Sequence, residues 1–215
     1  MPANPRIENQ ALMFITDRAR SLGRSNIEVV RAALQGGCRL IQYRALDLPD
    51  RDFYNECLKI RELCEEVDAT LIVNDRFDIA LLIKADGIHL GHIDLPLKVV
   101  REYAGEEFIV GYSAHSVEEA ITSAWEGADY LSYSPMFPLE HKQSPFKPYG
   151  IDGAKSIQER MKIPIFFLGG IKVPHLPEIT RSLTPSRIAC VSMISEAEDV
   201  SARVEEILSI IRPDE

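Results

Sequence analysis

Two carboxylates carry the clearest chemical signal in the sequence. Asp75 follows the apolar run Leu71-Ile72-Val73 and Asn74, and Asp94 follows the run Ile88-His89-Leu90 and Gly91. Short aliphatic runs that stop abruptly at polar residues read as buried strands. Two carboxylates at successive strand ends suit a hard cation such as Mg2+, which takes a few carboxylates, waters and substrate phosphates. Each aspartate also has a plainer reading as a helix cap, Asp75 before Arg76 and Asp94 before Leu95-Pro96, where proline suits the first turn. For either one alone the cap is the better account. The pair, set beside Asn74 and Arg76, favours a site.

A second group lies on Leu40-Ile-Gln42-Tyr-Arg44. Side chains alternate along a strand, so Gln42 and Arg44 share a face. If that face is interior, Arg44 needs an anionic partner; if the register is shifted, Arg44 lies in solvent. Gly169-Gly170 and Ser192 each follow an apolar run near the C-terminus. Backbone N–H groups and a helix N-terminus at such places receive phosphate, although Gly-Gly by itself is a tight turn. The long irregular segment 134–150 has four prolines and carries His141, Lys142 and Lys147. It reads as a lid that brings charge to a phosphate-bearing substrate, or as a solvated loop. His89, His92 and His115 lack the spacing and the glutamate of a zinc helix, so zinc is not expected. His115 precedes Ser116 and reads equally as a loop histidine.

The elements that must position these groups alternate regularly. Strands are expected at 12–16, 40–44, 71–73, 88–90, 108–110, 130–133, 164–168 and 187–191. Helices are expected at 25–35, 50–67, 76–84, 95–103, 117–126, 151–161, 174–183 and 195–211. Ser116 and Glu119 have the spacing of a capping box. Phe53, Cys57, Ile60 and Cys64 share one apolar helical face, and the helix after Asp75 has Phe77, Ala80, Leu81 and Lys84 at helical spacing. Eight strand–helix units without a linker predict one α/β domain over residues 1–215, a single (β/α)8 TIM barrel, with a doubly wound open sheet as the alternative. Ligands then bind at the carboxyl ends of the strands.

Composition narrows the class further. The 215 residues carry 24 basic and 33 acidic side chains, for a formal charge of −9. That argues against nucleic acid or an acidic membrane surface as partner, while a locally positive rim still admits an anionic substrate. No stretch is long and apolar enough for a membrane span, and the N-terminus lacks the order of a signal peptide. Cys38, Cys57, Cys64 and Cys190 form no C-x-x-C pair. They read as reduced structural thiols of a cytoplasmic protein.

Taken in order, the segments resemble the family of thiamin-phosphate synthases and thiazole tautomerases. The matching pieces are Ile15-Thr-Asp17, Gln42-x-Arg44, Asn74-Asp-Arg76, Asp86-Gly-Ile-His-Leu-Gly91 with Asp94, and Gly111-x-Ser113. Further along come Gly127-Ala-Asp-Tyr130, Ser134-Pro-x-Phe-Pro138 with Lys142, Gly169-Gly-Ile171 and Val191-Ser192. The resemblance covers nearly the whole chain. It implies a transferase that joins hydroxymethylpyrimidine pyrophosphate to a thiazole phosphate and releases pyrophosphate. It further implies that Gln42, Arg44, Asn74, Ser113 and Lys142 contact the pyrophosphate, with Arg44, Ser113 and Lys142 assisting its departure. Mg2+ would sit on Asp75 and Asp94. The thiazole phosphate would bind at Gly169, Gly170, Val191 and Ser192. A homo-oligomer is left open.

The chain departs from the family pattern at several places. Leu46 stands where a lysine completes Gln-x-Arg-x-Lys. Leu139 and His141 replace two lid threonines. His92 replaces a glutamine, and Ser134 a glycine. These changes predict a weakened pyrophosphate clamp. The alternatives are the thiazole tautomerase of the same family and a non-catalytic, phosphate-binding regulatory barrel. The retained Asp75 and Asp94 favour the synthase over both.

Overall fold

The computed structural model describes residues 4–139 and 144–212. Eight parallel strands close into a barrel in sequence order. They are β1 (Leu12–Ile15), β2 (Leu40–Tyr43), β3 (Thr70–Asn74), β4 (Gly87–Leu90), β5 (Ile109–Ala114), β6 (Tyr130–Tyr133), β7 (Ile165–Phe167) and β8 (Ile188–Cys190). Closure comes from β1 against β8, with Leu12 opposite Ile188 and Phe14 opposite Cys190. The barrel expected from the alternation is therefore present, and the open sheet is not.

Strand alternation divides the core in two. Phe14, Ile41, Tyr43, Leu71, Val73, Ile88, Val110, Leu131 and Phe167 point outward into the layer beneath the helices. Met13, Ile15, Leu40, Ile72, Ile109, Tyr130, Phe166 and Ala189 fill the barrel itself. Each fully buried aliphatic or aromatic side chain in these layers contributes roughly 1.5–3 kcal/mol. Continuing the inward positions toward the carboxyl ends replaces apolar side chains by Gln42, His89 and Ser132, all buried. The floor of the barrel is thus greasy and its mouth polar, which is where a parallel barrel binds ligands.

The helices are α1 (Pro5–Glu8), α2 (Asn26–Gln35), α3 (Asp50–Glu65), α4 (Phe77–Leu82), α5 (Leu97–Ala104), α6 (Val117–Trp125), α7 (Gly150–Gln158), α8 (Leu176–Ser182), α9 (Ser192–Ser195) and α10 (Val200–Ile211). The α3 face formed by Phe53, Cys57, Ile60 and Cys64 is buried as its spacing requires, with Leu63 added. All four cysteines are free and buried. Among the described residues no helix is long and apolar enough to cross a membrane.

Several expectations need correction. The short α1 was not foreseen; its Ile7 is fully buried with the interior set and plugs the barrel floor. On α4 the buried positions are Ile79 and Ala80, followed by buried Ile83 at its end, while Leu81 is exposed, because the inward face runs through 79, 80 and 83. β5 runs on through Gly111, Tyr112 and Ser113 to Ala114, where a loop was expected. Ser116 accepts the Glu119 N–H at 3.1 Å, but the Glu119 carboxylate takes the His115 N–H at 2.7 Å, so the capping box is only half formed. The last helix, expected from 195, begins at Val200 with Asp199 capping it through the Ala202 N–H, and a separate short turn, α9, precedes it. A 3-10 turn, Val173–His175, precedes α8.

Candidate active site

The rim begins where β1 and β2 end. The Thr16 hydroxyl donates to the Arg44 carbonyl at 2.9 Å and accepts from the Arg44 N–H at 2.8 Å, which locks the two strand ends together. The Arg44 guanidinium stands 3.6 Å from the Asp17 carboxylate, and both side chains are partly buried. Gln42, one inward position below, is buried with its amide nitrogen 3.8 Å from the Met13 sulfur. Arg44 therefore belongs to the mouth of the barrel, not to open solvent.

Asp75 follows β3 in the left-handed backbone region, with φ +62. Its N–H is held by the His89 carbonyl at 3.0 Å. Burial pushes its carboxyl up to about 6; the neighbouring Asp94 carboxyl adds to the rise by charge and by a hydrogen bond, while Arg44 and Asn74 oppose it. Asp94 accepts the Gly91 N–H at 2.6 Å and so folds back over the end of β4. Neither aspartate caps a helix: α4 has Arg76 at its N-cap and α5 has Pro96, both without a side-chain cap bond. Arg76 turns outward to Asp50 at 2.5 Å and Asp78 at 2.7 Å. The structure thus brings Arg44, Asn74, Asp75 and Asp94 together and leaves Arg76 outside.

On the opposite side, Ser113 at the inward end of β5 sits 2.9 Å from His89 Nε2 and 3.2 Å from the Ser132 hydroxyl. His89 is held from below by the Tyr130 hydroxyl at 2.9 Å. Burial pushes this imidazole down to about 3, so it is neutral. His115 ties the end of β5 to the long loop: its Nδ1–H donates to the Ser134 carbonyl at 2.9 Å, and its ring stacks on Phe146 at 4.2 Å with 5° between planes. His141 and Lys142 lie outside the described residues.

Gly169 and Gly170 follow β7 with φ of +92 and +69, a region that favours glycine. A side chain on Gly170 would meet the Pro138 and Phe137 carbonyl oxygens at 2.5 and 2.7 Å. The backbone of the β6–α7 loop therefore fills the space beside Gly170. The Gly169 carbonyl accepts the Phe137 N–H at 2.9 Å. Among the described residues no backbone carbonyl accepts from the Gly170 N–H. Val191 is the N-cap of α9 and Ser192 its first residue, so the first N–H groups of that turn have no partner within the helix. A short extra helix after strand eight is a frequent phosphate device of this fold.

Sequence reasoning named Thr16, Asp17, His89 and Tyr130 only within pieces of the family pattern, weighed His89 otherwise as a zinc ligand, and passed over Ser132. The period-two inward set, carried past each strand end, is the signal that places them. Leu46 shows the converse. It stands two residues past Arg44, but β2 ends at Tyr43 and Leu46 lies in a bend, 64% exposed. A groove of about 430 Å³ lined by Lys98, Ile121, Thr122, Trp125 and Glu126 lies on the helical flank, away from these groups.

Comparison with known proteins agrees with this geometry. The family model for thiamine monophosphate synthase matches residues 12–196. A thiamine-phosphate synthase of Pelotomaculum thermopropionicum is 42% identical over 197 residues, covering 92% of this chain and 90% of the relative. One of Dictyoglomus thermophilum is 37% identical over 203 residues, covering 93% and 89%. A solved thiamine phosphate pyrophosphorylase from Pyrococcus furiosus superposes with a TM-score of 0.87 at 36% identity, over 98% of each chain. A 3-hexulose-6-phosphate synthase, with a TM-score of 0.71 at 15% identity over 94% of this chain and 100% of that one, shares the fold alone.

Proposed function

The chain belongs to the thiamine monophosphate synthase family, and from that premise we propose how its rim couples hydroxymethylpyrimidine pyrophosphate to a thiazole phosphate. The observation that carries the reading is the juxtaposition of Asp75 and Asp94 beside Arg44. Two carboxylates in mutual contact, one of them hard to ionise, fit a divalent cation: its charge removes their repulsion, and substrate oxygens complete its shell. We assign Asp75 and Asp94 to Mg2+, which when bound would neutralise the charge that collects on the departing pyrophosphate.

The chain's own residues do the rest. The methylene C–O bond of the pyrimidine breaks, and its electron pair leaves with the pyrophosphate. Arg44 and Lys142 meet that charge, and Gln42, Asn74 and the Ser113 hydroxyl hold the pyrophosphate by hydrogen bonds. Such preorganised donors act where charge develops. The thiazole nitrogen then supplies the pair for the new C–N bond. Its phosphate is received by the Gly169-Gly170 turn and by the start of α9 at Val191 and Ser192. The Thr16 clamp sets the position of Arg44, and Asp17 holds its guanidinium until substrate arrives.

The tautomerase and the non-catalytic barrel are not favoured by relatives that are all named synthases. We read residues 1–215 as one barrel unit of the cytoplasm, acting on small phosphorylated substrates. The test is purified protein with both substrates, with pyrophosphate release followed in the presence and absence of Mg2+. Coupling that stops on chelation is expected. Coupling that persists in excess chelator would remove the metal assignment, and absence of coupling under all conditions would remove the reaction.

A further inference from the structure

The groups that face substrate at the top of the barrel rest on a buried polar chain. Gln42 and Tyr130 are 2% and 0% exposed, and His89 and Ser132 are each 3% exposed. The Tyr130 hydroxyl meets His89 Nδ1 at 2.9 Å, and His89 Nε2 meets Ser113 Oγ at 2.9 Å and Ser132 Oγ at 3.1 Å. Gln42 is buried on β2 nearby, its amide nitrogen 3.8 Å from the Met13 sulfur. The chain therefore links β6, β4 and β5 across the interior.

Its fit is specific. A Cβ on Gly111 would lie 2.1 Å from Tyr130 Cζ and 2.4 Å from its hydroxyl oxygen. Only glycine on β5 lets the Tyr130 ring lie across the barrel and bring its hydroxyl under His89. The Tyr130 and His89 rings then lie 5.4 Å apart, and Phe166 packs edge-on to Tyr130 at 5.7 Å.

Counting protons orders the chain. A neutral imidazole has one N–H and one bare nitrogen. The phenol is fully buried, and among the described residues the hydrogen-bond partner of its hydroxyl is His89 Nδ1. A buried O–H left unpaired is costly, so the phenol proton goes to His89 Nδ1. The imidazole proton is then on Nε2, between the two serine oxygens. Ser113 accepts there, and with Ser132 as donor across the 3.2 Å between the two hydroxyls the Ser113 proton is left to point up into the mouth. In the other tautomer Nε2 would be bare and would draw a serine proton down, away from substrate.

We propose that His89 is a positioning residue: with its tautomer set by Tyr130, its Nε2–H engages Ser113 and turns the serine hydroxyl proton toward the departing pyrophosphate. This rests on the reading of Ser113 as a substrate contact. His89 and Tyr130 touch no substrate themselves and act through the proton order of the chain.

A double-mutant cycle tests it, with kcat and both KM values as readouts. Tyr130→Phe removes a single oxygen and keeps the ring in place. It should lower kcat by about tenfold, the worth of one well-placed hydrogen bond, and leave the thiazole phosphate KM within about twofold. His89→Leu should do the same, and His89→Gln, which keeps a donor near Nε2, should recover part of the loss. In a Ser113→Ala background neither Tyr130→Phe nor His89→Leu should cost anything more. Losses that add fully to that of Ser113→Ala would overturn the relay while leaving Ser113 as a contact. A Ser113→Ala protein with normal turnover would remove the reading of Ser113 and the relay with it. Should His89→Leu fail to fold, Tyr130→Phe alone decides.

Discussion

The Asp75 carboxyl lies against the Asp94 carboxyl across the ends of β3 and β4, and burial together with this neighbour pushes Asp75 up to about 6. Two acids in one place are a liability unless something positive joins them. Asp75→Asn should therefore cut coupling about a hundredfold or more, since charge stabilisation by a metal ion is worth several kcal/mol. The fold should survive, because asparagine tolerates the left-handed backbone that Asp75 adopts. Thermal melts with and without Mg2+ check this: the wild-type protein should gain stability from the ion, and Asp75→Asn should not. A variant that melts early in metal-free buffer would return Asp75 to a structural role.

The same pair predicts a pH effect. The folded carboxyl holds its proton up to about 6, against an ordinary value of 3.8. Between those values the folded state binds more protons than the unfolded one, so stability falls as pH rises through the window. In metal-free buffer the melting temperature of the wild type, measured relative to Asp75→Asn, should climb on going from about pH 7 to about pH 5. A difference between the two proteins that stays flat across that range would contradict the contact.

Much of this was legible in the sequence, for physical reasons that differ by residue. The eight strands announced themselves because each is a short apolar run ended by polar residues. Gln42 and Arg44 were paired correctly because side-chain alternation is fixed by the pleat. Ser113 was found only through resemblance, since β5 was expected to end before Gly111. His89 was misjudged because its partners, Tyr130 and Ser132, lie on β6, and no local pattern reveals which residues of two strands meet across a barrel. The last helix was expected from Ser195 but begins at Val200, where Asp199 caps it, and the short α9 turn before it went unforeseen. The packing around Gly170 was not legible because its neighbour is a distant loop, Phe137-Pro138.

Gly170 yields a sharper expectation now that its surroundings are known. A methyl group there would strike the Phe137 and Pro138 carbonyls, and φ of +69 strains any side chain. Gly170→Ala should destabilise the protein by about 1–3 kcal/mol. It should also raise the thiazole phosphate KM by displacing the adjacent N–H. Calorimetry and initial rates measure the two effects. An unchanged melting temperature would mean that the loop packing is not as described.

Leu46 offers the last and most discriminating substitution. In the family pattern a lysine completes Gln-x-Arg-x-Lys, and its ammonium would add a charged hydrogen bond to the leaving pyrophosphate, typically about 1.5–3 kcal/mol. Leu46 is exposed in the bend after β2, so a lysine there disturbs no packing. The bend, not the pleat, decides where that side chain goes, and a four-carbon stem lets the ammonium seek the pyrophosphate. If the bond forms mainly in the transition state, Leu46→Lys should raise kcat/KM by roughly one to two powers of ten. The melting temperature should not move. If instead Lys142 or Lys147 already supplies the charge, Leu46→Lys will be neutral and Lys142→Ala severe. The paired measurement separates these outcomes. Leu46→Lys without gain, in a protein whose Lys142→Ala variant also couples normally, would take the pyrophosphate away from this side of the rim.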